Sequence, residues 1–338
     1  MGLFSKKTLS IDFGNQFLKF AVGEYKNNHL VIDQLFSTKI NEGIISNGKI
    51  LEYNLLKDVV SQMIKEKKVK ASNISFTLAS SDIVKREVII PIVLEEDESS
   101  LIAFEIEQYL PGPTEDYIIQ SKALSFIESN DEKKKRLLVA AMPKKEADLY
   151  YKLSVDLKLK PLSFDIHSNV MSKLMKHTNL NSAGESFERN SSLVVEIDHN
   201  FIDVFILEKG KYKFGRRIFS GIQELIRFRG VEGDLEKSNF KNFLEEENMT
   251  VVQEIDYWSD EIKKIIKYYE DLSDENEIGK VFLYGDGALI KGIDKSFSNR
   301  LALTTEIFQV NSVVDLNENI NSNDLASYMN AIGALINE

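Results

Sequence analysis

Apolar residues recur along the chain with two periodicities. Alternation indicates strands and helical spacing indicates helices, so together they predict an α/β protein. Apolar segments at 8–11, 17–22 and 30–35, separated by turn residues, predict an antiparallel β-meander at the start of the chain. From 54 to 67 the apolar positions fall on one helical face, with Asn54 as the expected N-cap. Further strands are predicted at 74–78 and 84–90.

A block of different character follows and predicts an α-β-β-α module inserted in the first half. Acidic residues at 95–98 precede an apolar helical stripe that stops at Pro111, and acids in a first turn favour the positive end of the helix dipole. Strands are expected at 117–127 and 137–142, joined by a charged hairpin loop at 128–135.

The second half repeats the beginning of the first. A polar segment at 179–192 predicts the boundary between the halves. After it, a buried strand ends at Asp198, much as the first strand of the chain ends at Asp12, and each is followed by two more strand-like segments. This internal repeat predicts two related lobes.

Three features are expected in the remaining chain. Apolar spacings of three and four over 251–269 predict a long helix, packed along a surface between the lobes. A strand at 280–284 leads into a glycine turn, after which Ala288 opens a predicted helix. A final amphipathic helix ends near 336, with Asn323 or Asp324 as its expected cap.

Composition narrows the class of function. The chain has 338 residues, enough for two domains, and a net charge of −11, which disfavours binding to nucleic acid. It has no cysteine, so disulfides, thiolate metal sites and a thiol nucleophile are excluded, and a cytoplasmic protein is expected. No apolar stretch reaches the roughly 20 residues that span a bilayer.

The sequence lacks the common catalytic motifs. There is no Walker A loop, no G-x-S-x-G elbow and no H-E-x-x-H zinc motif. The histidines have no carboxylates at metal-ligand spacing and are interpreted as packing or surface residues; they are His29, His167, His177 and His199.

The loop after the first strand has the residue types of a phosphate site. Gly14 allows backbone amides to approach a phosphate, Asn15 and Gln16 offer donors, and Lys19 offers positive charge. Asp12 is able to hold a magnesium ion through water.

Two further loops complete a set of three. Asp198 holds the matching place in the second half, and the turn at Gly285 and Gly287 allows a nucleotide to pass close to the backbone. Taken singly, each of the three loops is more often a plain hairpin or turn. Their order is the pattern of the superfamily of actins, sugar kinases and chaperones.

Within that superfamily nearly the whole chain resembles the type IV pilus assembly protein PilM family, which is related to the cell-division protein FtsA. The most specific match is Glu105-Ile-Glu107-Gln108-Tyr109-Leu-Pro111, which is similar to the family's E-x-E-Q-Y-I-P. Others are the Asp12/Lys19 loop, 43–50, 138–141, 162–166 and 219–221, and the glycine turn at 285.

The resemblance implies an α/β, bilobal, actin-like (ribonuclease H-like) fold with two related lobes and an inserted subdomain of the FtsA/PilM type. The expected divisions are a first lobe at 1–93 and 161–180, an inserted subdomain at 94–160, a second lobe at 181–230 and 272–338, and a small helical subdomain at 231–271.

The resemblance also implies a cytoplasmic adaptor that binds the N-terminal tail of an inner-membrane PilN-like protein beside the inserted subdomain. The adaptor would link pilus motor ATPases to the membrane complex and would meet the membrane only through its partner. A homo-oligomer is compatible with the resemblance. Glu107, Gln108 and Tyr109 are the expected partner residues.

ATP and Mg are the cofactors that the resemblance implies, bound between the lobes. The residues carried over to the phosphates are Asp12, Gly14, Asn15, Gln16, Lys19 and Asp198, with Gly285 and Gly287 at the adenosine side and Asp12 and Asp198 around a water-mediated Mg ion.

Departures from the family pattern favour a scaffold over an enzyme. His199 and Asn200 stand where relatives carry small residues, and Asp286 would repel phosphate if it faced the cleft. No residue is predicted to be catalytic. The alternatives are an active actin-like ATPase or kinase and an FtsA-like filament-forming division protein.

Overall fold

Two β-sheets that share a five-strand order organise the protein, and the first of them has a sixth strand. The computed structural model describes residues 7–129, 132–178, 191–228, 241–244, 249–310 and 314–337. In each sheet an antiparallel meander is extended by a parallel strand that pairs with the first strand of the meander. The predicted internal repeat is therefore present as a repeat of topology.

The first-lobe sheet has the order β10-β6-β1-β2-β3-β16. Its strands are β1 (Thr8–Phe13), β2 (Phe17–Lys26), β3 (His29–Lys39), β6 (Asn73–Leu78), β10 (Lys160–Ile166) and β16 (Val314–Leu316), and a two-stranded hairpin, β4 (Ile45–Ser46) and β5 (Lys49–Ile50), lies apart from it. The outer face packs on α1 (Tyr53–Glu66) and α3 (Lys144–Asp156).

The second-lobe sheet has the order β13-β12-β11-β14-β15. Its strands are β11 (Ser191–Ile197), β12 (Ile202–Glu208), β13 (Lys211–Ile218), β14 (Ile278–Tyr284) and β15 (Thr305–Ile307). Its outer face packs on α5 (Ile222–Phe228), α6 (Met249–Glu270) and α7 (Ile293–Leu301).

A third sheet forms the inserted subdomain, with β9 (Glu132–Pro143) between β7 (Val84–Pro91) and β8 (Tyr117–Ser129). Helix α2 (Glu95–Glu107) covers one face of it. The structure departs from the expected pattern in two ways. Strand β7, placed in the first lobe by sequence, joins this sheet, whereas α3, placed in the insert, packs on the first-lobe core.

The charged segment expected to be a loop at 128–135 is mostly strand. Glu128 pairs with Lys133 across the hairpin, and β9 already begins at Glu132. Opposite charges on facing positions stabilise such a pair, so a run of charge did not mark the end of the strands.

The two sheets meet through an apolar core that contains α4 (His167–Thr178) and α8 (Met329–Gly333). Successive strand residues point to opposite faces, so Val195 faces the outer core of the second lobe while Val194 faces this shared core. The first sheet contributes Ala21 and Ile32, and α4 contributes Met171. The relative position of the lobes is thus set partly by packing.

Helix α6 carries the apolar stripe that the sequence predicts, but it packs elsewhere. Its buried residues, including Val251, Trp258 and Tyr269, belong to the outer core of the second lobe, so the predicted packing between the lobes is wrong. Apolar periodicity shows which face of a helix is buried, but it does not show which part of the protein that face packs against. The predicted boundary at 179–192 lies largely outside the described residues, as does most of 229–248.

Two predicted caps and one predicted helix are wrong. Helix α1 begins one residue before Asn54, with Glu52 at its N-cap. Ala288 lies in a 3-10 helix at Asp286–Leu289 rather than opening an α-helix. Near the C-terminus, Asn321 caps a 3-10 helix (Ser322–Tyr328) that precedes α8. Among the described residues no helix is both long and apolar enough to cross a membrane.

Gly333 provides a test of the packing between α4 and α8. A Cβ at this position would lie 2.6 Å from Cγ1 of Val170 and 3.1 Å from its carbonyl oxygen. We expect Gly333→Ala to lower the free energy of unfolding by about 1–3 kcal/mol, because overpacking displaces a stiff, buried neighbour. Urea denaturation measures this difference. Gly112→Ala, where a Cβ meets nothing within 4 Å, is the control, and equal midpoints for the two variants would contradict the packing.

Candidate functional site

The two aspartate loops lie opposite each other between the lobes. The backbone amide of Gly14 donates to the carbonyl of Phe17 at 3.1 Å, which closes the turn from β1 to β2. A Cβ on Gly14 would lie 3.8 Å from Oδ2 of Asp198, so the loops of the two lobes approach closely. Asp12 and Lys19 are buried and paired in the β1–β2 register. The structure brings these residues together, and their role toward a phosphate remains a prediction.

The glycines of the third loop pack against the end of β11. Gly285 has φ 89°, in the left-handed region, and a Cβ there would lie 2.7 Å from the carbonyl oxygen of Ile197. A Cβ on Gly287 would lie 2.2 Å from Cγ2 of the same residue. The absence of a side chain therefore serves close packing within the second lobe, which fixes the backbone on both sides of Asp286.

Asp286 lies between two basic side chains of the aspartate loops. Its Oδ2 is 3.3 Å from Nζ of Lys19 and 3.2 Å from Nε2 of His199. Asp286 is fully buried and the Lys19 side chain is 7% exposed. The His199 ring is 4.9 Å from the ring of Phe17, a first-lobe residue. The sequence analysis expects Asp286 to repel a phosphate if it faces the cleft. In the structure Asp286 does face the cleft, and it is paired with Lys19.

A second buried polar chain crosses between the lobes through His167. Its Nε2 lies 2.8 Å from Oδ1 of Asp12, and its Nδ1 lies 2.8 Å from Oε2 of Glu196 in the second lobe. Glu196 also accepts hydrogen bonds from Nδ2 of Asn330 at 2.7 Å and from the hydroxyl of Tyr284 at 3.0 Å. All five side chains are buried.

The electrostatics favour a charged His167 and a charged Lys19. Burial alone would lower the pKa of His167, but Glu196 and Asp12 outweigh it and raise the pKa to about 10. Burial also opposes the charge on Lys19, and Asp286, followed by more distant carboxylates, outweighs it and raises the pKa above its ordinary value. Burial raises the pKa of Glu196, with His167 acting in the opposite direction.

A polar chain at the cleft edge joins the loops to the β4–β5 hairpin. The side-chain oxygen of Asn15 accepts from the backbone amide of Asn47 at 2.9 Å. Asn47 Oδ1 in turn accepts from Nη1 of Arg217 at 2.8 Å, and Arg217 forms two hydrogen bonds with Asp203. Gln16 also reaches the second lobe, with its Nε2 3.4 Å from Oε1 of Gln223.

Two of the predicted Mg-ATP ligands are engaged with side chains outside the predicted set. Asp12 is hydrogen-bonded to His167, and Lys19 is paired with Asp286. Within the described residues, no group of three or more histidine and acidic side chains is arranged to hold a metal ion. As they stand, these side chains do not fit a bound triphosphate.

Sequence reasoning missed His167, Glu196, Asn47 and Arg217. His167 was interpreted as a packing or surface residue because no carboxylate lies at ligand spacing; its partner Asp12 is 155 residues away. Glu196 carried a weak signal, since it is a charged residue inside an otherwise apolar strand.

The predicted partner residues lie at the C-terminal end of α2. Glu107, Gln108 and Tyr109 are all exposed, and the Arg86 guanidinium lies 5.0 Å from the centre of the Tyr109 ring. One turn earlier, Phe104 is 72% exposed, on the same helical face as Gln108. Phe104 was missed because it lies outside the predicted apolar stripe of Ile102, Ile106, Tyr109 and Leu110, of which Tyr109 is itself 44% exposed.

A cavity of about 190 Å³ lies on the other face of the inserted sheet. It separates β8 and β9 from the β12–β13 hairpin of the second lobe, and Arg136 and Tyr212 are among its lining residues. None of the three predicted partner residues lines it.

The repeated sheets, with an aspartate loop at the end of each first strand, define an actin-like bilobal protein with an inserted subdomain. A family model described as type IV pilus assembly protein PilM matches residues 10–336. The chain therefore belongs to the type IV pilus assembly protein PilM family.

Solved structures agree on the fold. A structure described as a PilM-PilN type IV pilus biogenesis complex has a TM-score of 0.80 and 15% identity, with 97% of each chain covered. Ethanolamine utilization protein EutJ from Carboxydothermus hydrogenoformans has a TM-score of 0.55 and 11% identity, covering 97% of this chain and 89% of that one. MreB 5 of Spiroplasma citri bound to AMPPNP has a TM-score of 0.52 and 12% identity, covering 97% and 95%. No curated protein matched the sequence.

His167 predicts how stability depends on pH. Its folded pKa of about 10 exceeds its ordinary value of 6.5, so its contribution is fully present below about pH 6.5 and is lost as the pH rises through about 10. We expect the free energy of unfolding to fall between pH 7 and 9, by at most about 1.4 kcal/mol per pH unit. Urea denaturation at several pH values measures this slope.

His167→Gln should flatten that slope, whereas His29→Gln should keep it, because His29 is a surface residue that pairs with Asp315. If the free energy of unfolding has the same pH dependence in the wild type, His167→Gln and His29→Gln, His167 is not the titrating group.

Proposed function

We propose that this chain is a cytoplasmic adaptor of type IV pilus assembly that binds the N-terminal tail of an inner-membrane PilN-like protein. The observation that carries the proposal is the family match over residues 10–336. The full-length likeness to a protein solved in a PilM-PilN complex supports the choice of partner. The adaptor would sit at the inner face of the membrane through this partner and link it to the pilus motor ATPases.

The inserted subdomain offers a surface suited to a tail peptide. Phe104, Tyr109 and Leu94 are large, exposed apolar side chains on α2 or next to its ends. Exposed aromatic residues beside charged ones are typical of protein interfaces, where a few residues, with Trp, Tyr and Arg enriched among them, supply most of the binding energy. The net charge of −11 favours a neutral or basic tail.

In this proposal nucleotide binding is secondary to binding of the tail peptide. ATP with Mg is the cofactor implied by the family resemblance, and a neighbour in fold was solved with AMPPNP. The contacts of Lys19 and Asp12 with side chains of this chain favour a degenerate site over an active ATPase. An adaptor holds its partner by surface contacts, so the role requires no hydrolysis.

Calorimetric titration of the full chain with a synthetic tail peptide of a PilN-like protein tests the proposal. We expect saturable binding, weakened about tenfold or more (about 1.4 kcal/mol) by Tyr109→Ala or Phe104→Ala, because each removes an exposed aromatic anchor. Glu107→Ala and Gln108→Ala complete the set of predicted partner residues.

Tyr257→Ala is the matched control, since Tyr257 on α6 is 47% exposed and Tyr109 is 44% exposed. Wild-type affinity for the tail peptide in all four alanine variants would show that the peptide does not bind at α2. A wild-type chain that binds no tail peptide and releases phosphate steadily from ATP would reject the adaptor function.

A further inference from the structure

One carboxylate joins the two predicted phosphate loops. Oδ2 of Asp286 lies within 3.3 Å of Nζ of Lys19 on β2 and within 3.2 Å of Nε2 of His199, which follows β11. Lys19 belongs to the first lobe and the other two residues to the second, so the contact spans the cleft. All three side chains are at most 8% exposed.

A phosphate group and Asp286 would compete for the same partners. Both present anionic oxygen atoms, and Lys19 is the cation that the sequence pattern assigns to a phosphate. The carboxylates acting on Lys19 are already numerous: Asp286, Asp198, Asp12 and Glu196. Addition of a triphosphate to this group would place further negative charge in a buried region.

Asp286 has little freedom to leave its position. It lies between Gly285 and Gly287, both of which pack so closely on Ile197 that a Cβ on either would clash. Its backbone is therefore fixed by the second-lobe core. An outward rotation would also leave Lys19 as a buried cation that has lost its nearest carboxylate.

We propose that Asp286 is a built-in anion that takes the place of a phosphate between Lys19 and His199 and holds the two lobes closed without nucleotide. The inference deepens the degenerate cleft of the proposed function and is independent of the partner surface on α2. It assigns the closing contact to side chains of the chain itself.

Mg-ATP titration of the wild-type chain and of Asp286→Asn tests the replacement. The variant keeps the shape of the side chain and removes its charge, so Lys19 becomes available to a phosphate. We expect Asp286→Asn to bind Mg-ATP at least about tenfold more tightly than the wild type. Equal affinity of the two chains, including no binding by either, or tighter binding by the wild type, overturns the proposal.

Asp165→Asn is the matched control. Asp165 forms a 2.8 Å pair with Lys173, and both side chains are nearly buried, but the pair lies within the first lobe. This variant should show wild-type affinity for Mg-ATP. A gain equal to that of Asp286→Asn would mean that general loosening, rather than release of Lys19, admits the nucleotide, and would also overturn the proposal.

A stability cycle gives an answer even if Asp286→Asn folds poorly. Lys19→Met, Asp286→Asn and the double variant are compared by urea denaturation. Asp286→Asn should reduce the folding equilibrium constant in the wild type. We expect this reduction to be at least about tenfold smaller when Lys19→Met is already present. Additive effects would show that the two side chains do not form the closing contact.

Peptide titration separates this inference from the adaptor function. Asp286→Asn should keep wild-type affinity for the PilN-like tail, because the α2 surface does not include the cleft. Failure of the wild type to bind the peptide would reject the adaptor function and leave the Mg-ATP comparison unaffected.

Discussion

Burial of charged side chains between the lobes is the constraint on which the rest of the structure depends. Asp12, Glu196 and His167 form one chain of contacts, and Lys19 and Asp286 form another, all with little access to water. Breaking a buried pair by removing one partner costs about 3–5 kcal/mol, because the other charge is left uncompensated. Since each pair spans or adjoins the cleft, the charges can be satisfied only when the lobes keep one relative position.

The same constraint supports the proposed degenerate cleft in an actin-like fold. Binding of a phosphate requires cations and backbone amides that are available to it. In this chain Asp286 and Asp12 already satisfy Lys19 and His167. The glycines that would admit a nucleotide instead allow the turn to pack on Ile197.

The sequence predicted what depends on local pattern and missed what depends on distant pairing. The paired meanders and the buried stripe of α6 follow from periodicity and from the internal repeat. The contact of His167 with Asp12 and Glu196 joins three separate segments, and no spacing rule encodes it. The cap at Asn54 was wrong because the helix began at Tyr53, and helix ends are the least certain part of any periodic pattern.

The inserted subdomain, which carries the proposed partner surface, is tied to α4 and to the second lobe by contacts of β7. Lys85 on β7 reaches Ser168 of α4 at 3.3 Å, and burial lowers its pKa, with Asp203 of the second lobe only partly opposing this. Lys213 on β13 lies 3.4 Å from Glu87 on the same strand β7. Because these contacts cross between separate sheets, a fixed position of the lobes also fixes the sheet that carries α2. In the proposed adaptor, these contacts to the inserted sheet hold the α2 surface in place without the Lys19–Asp286 pair, which lowers the entropic cost of capturing a flexible tail.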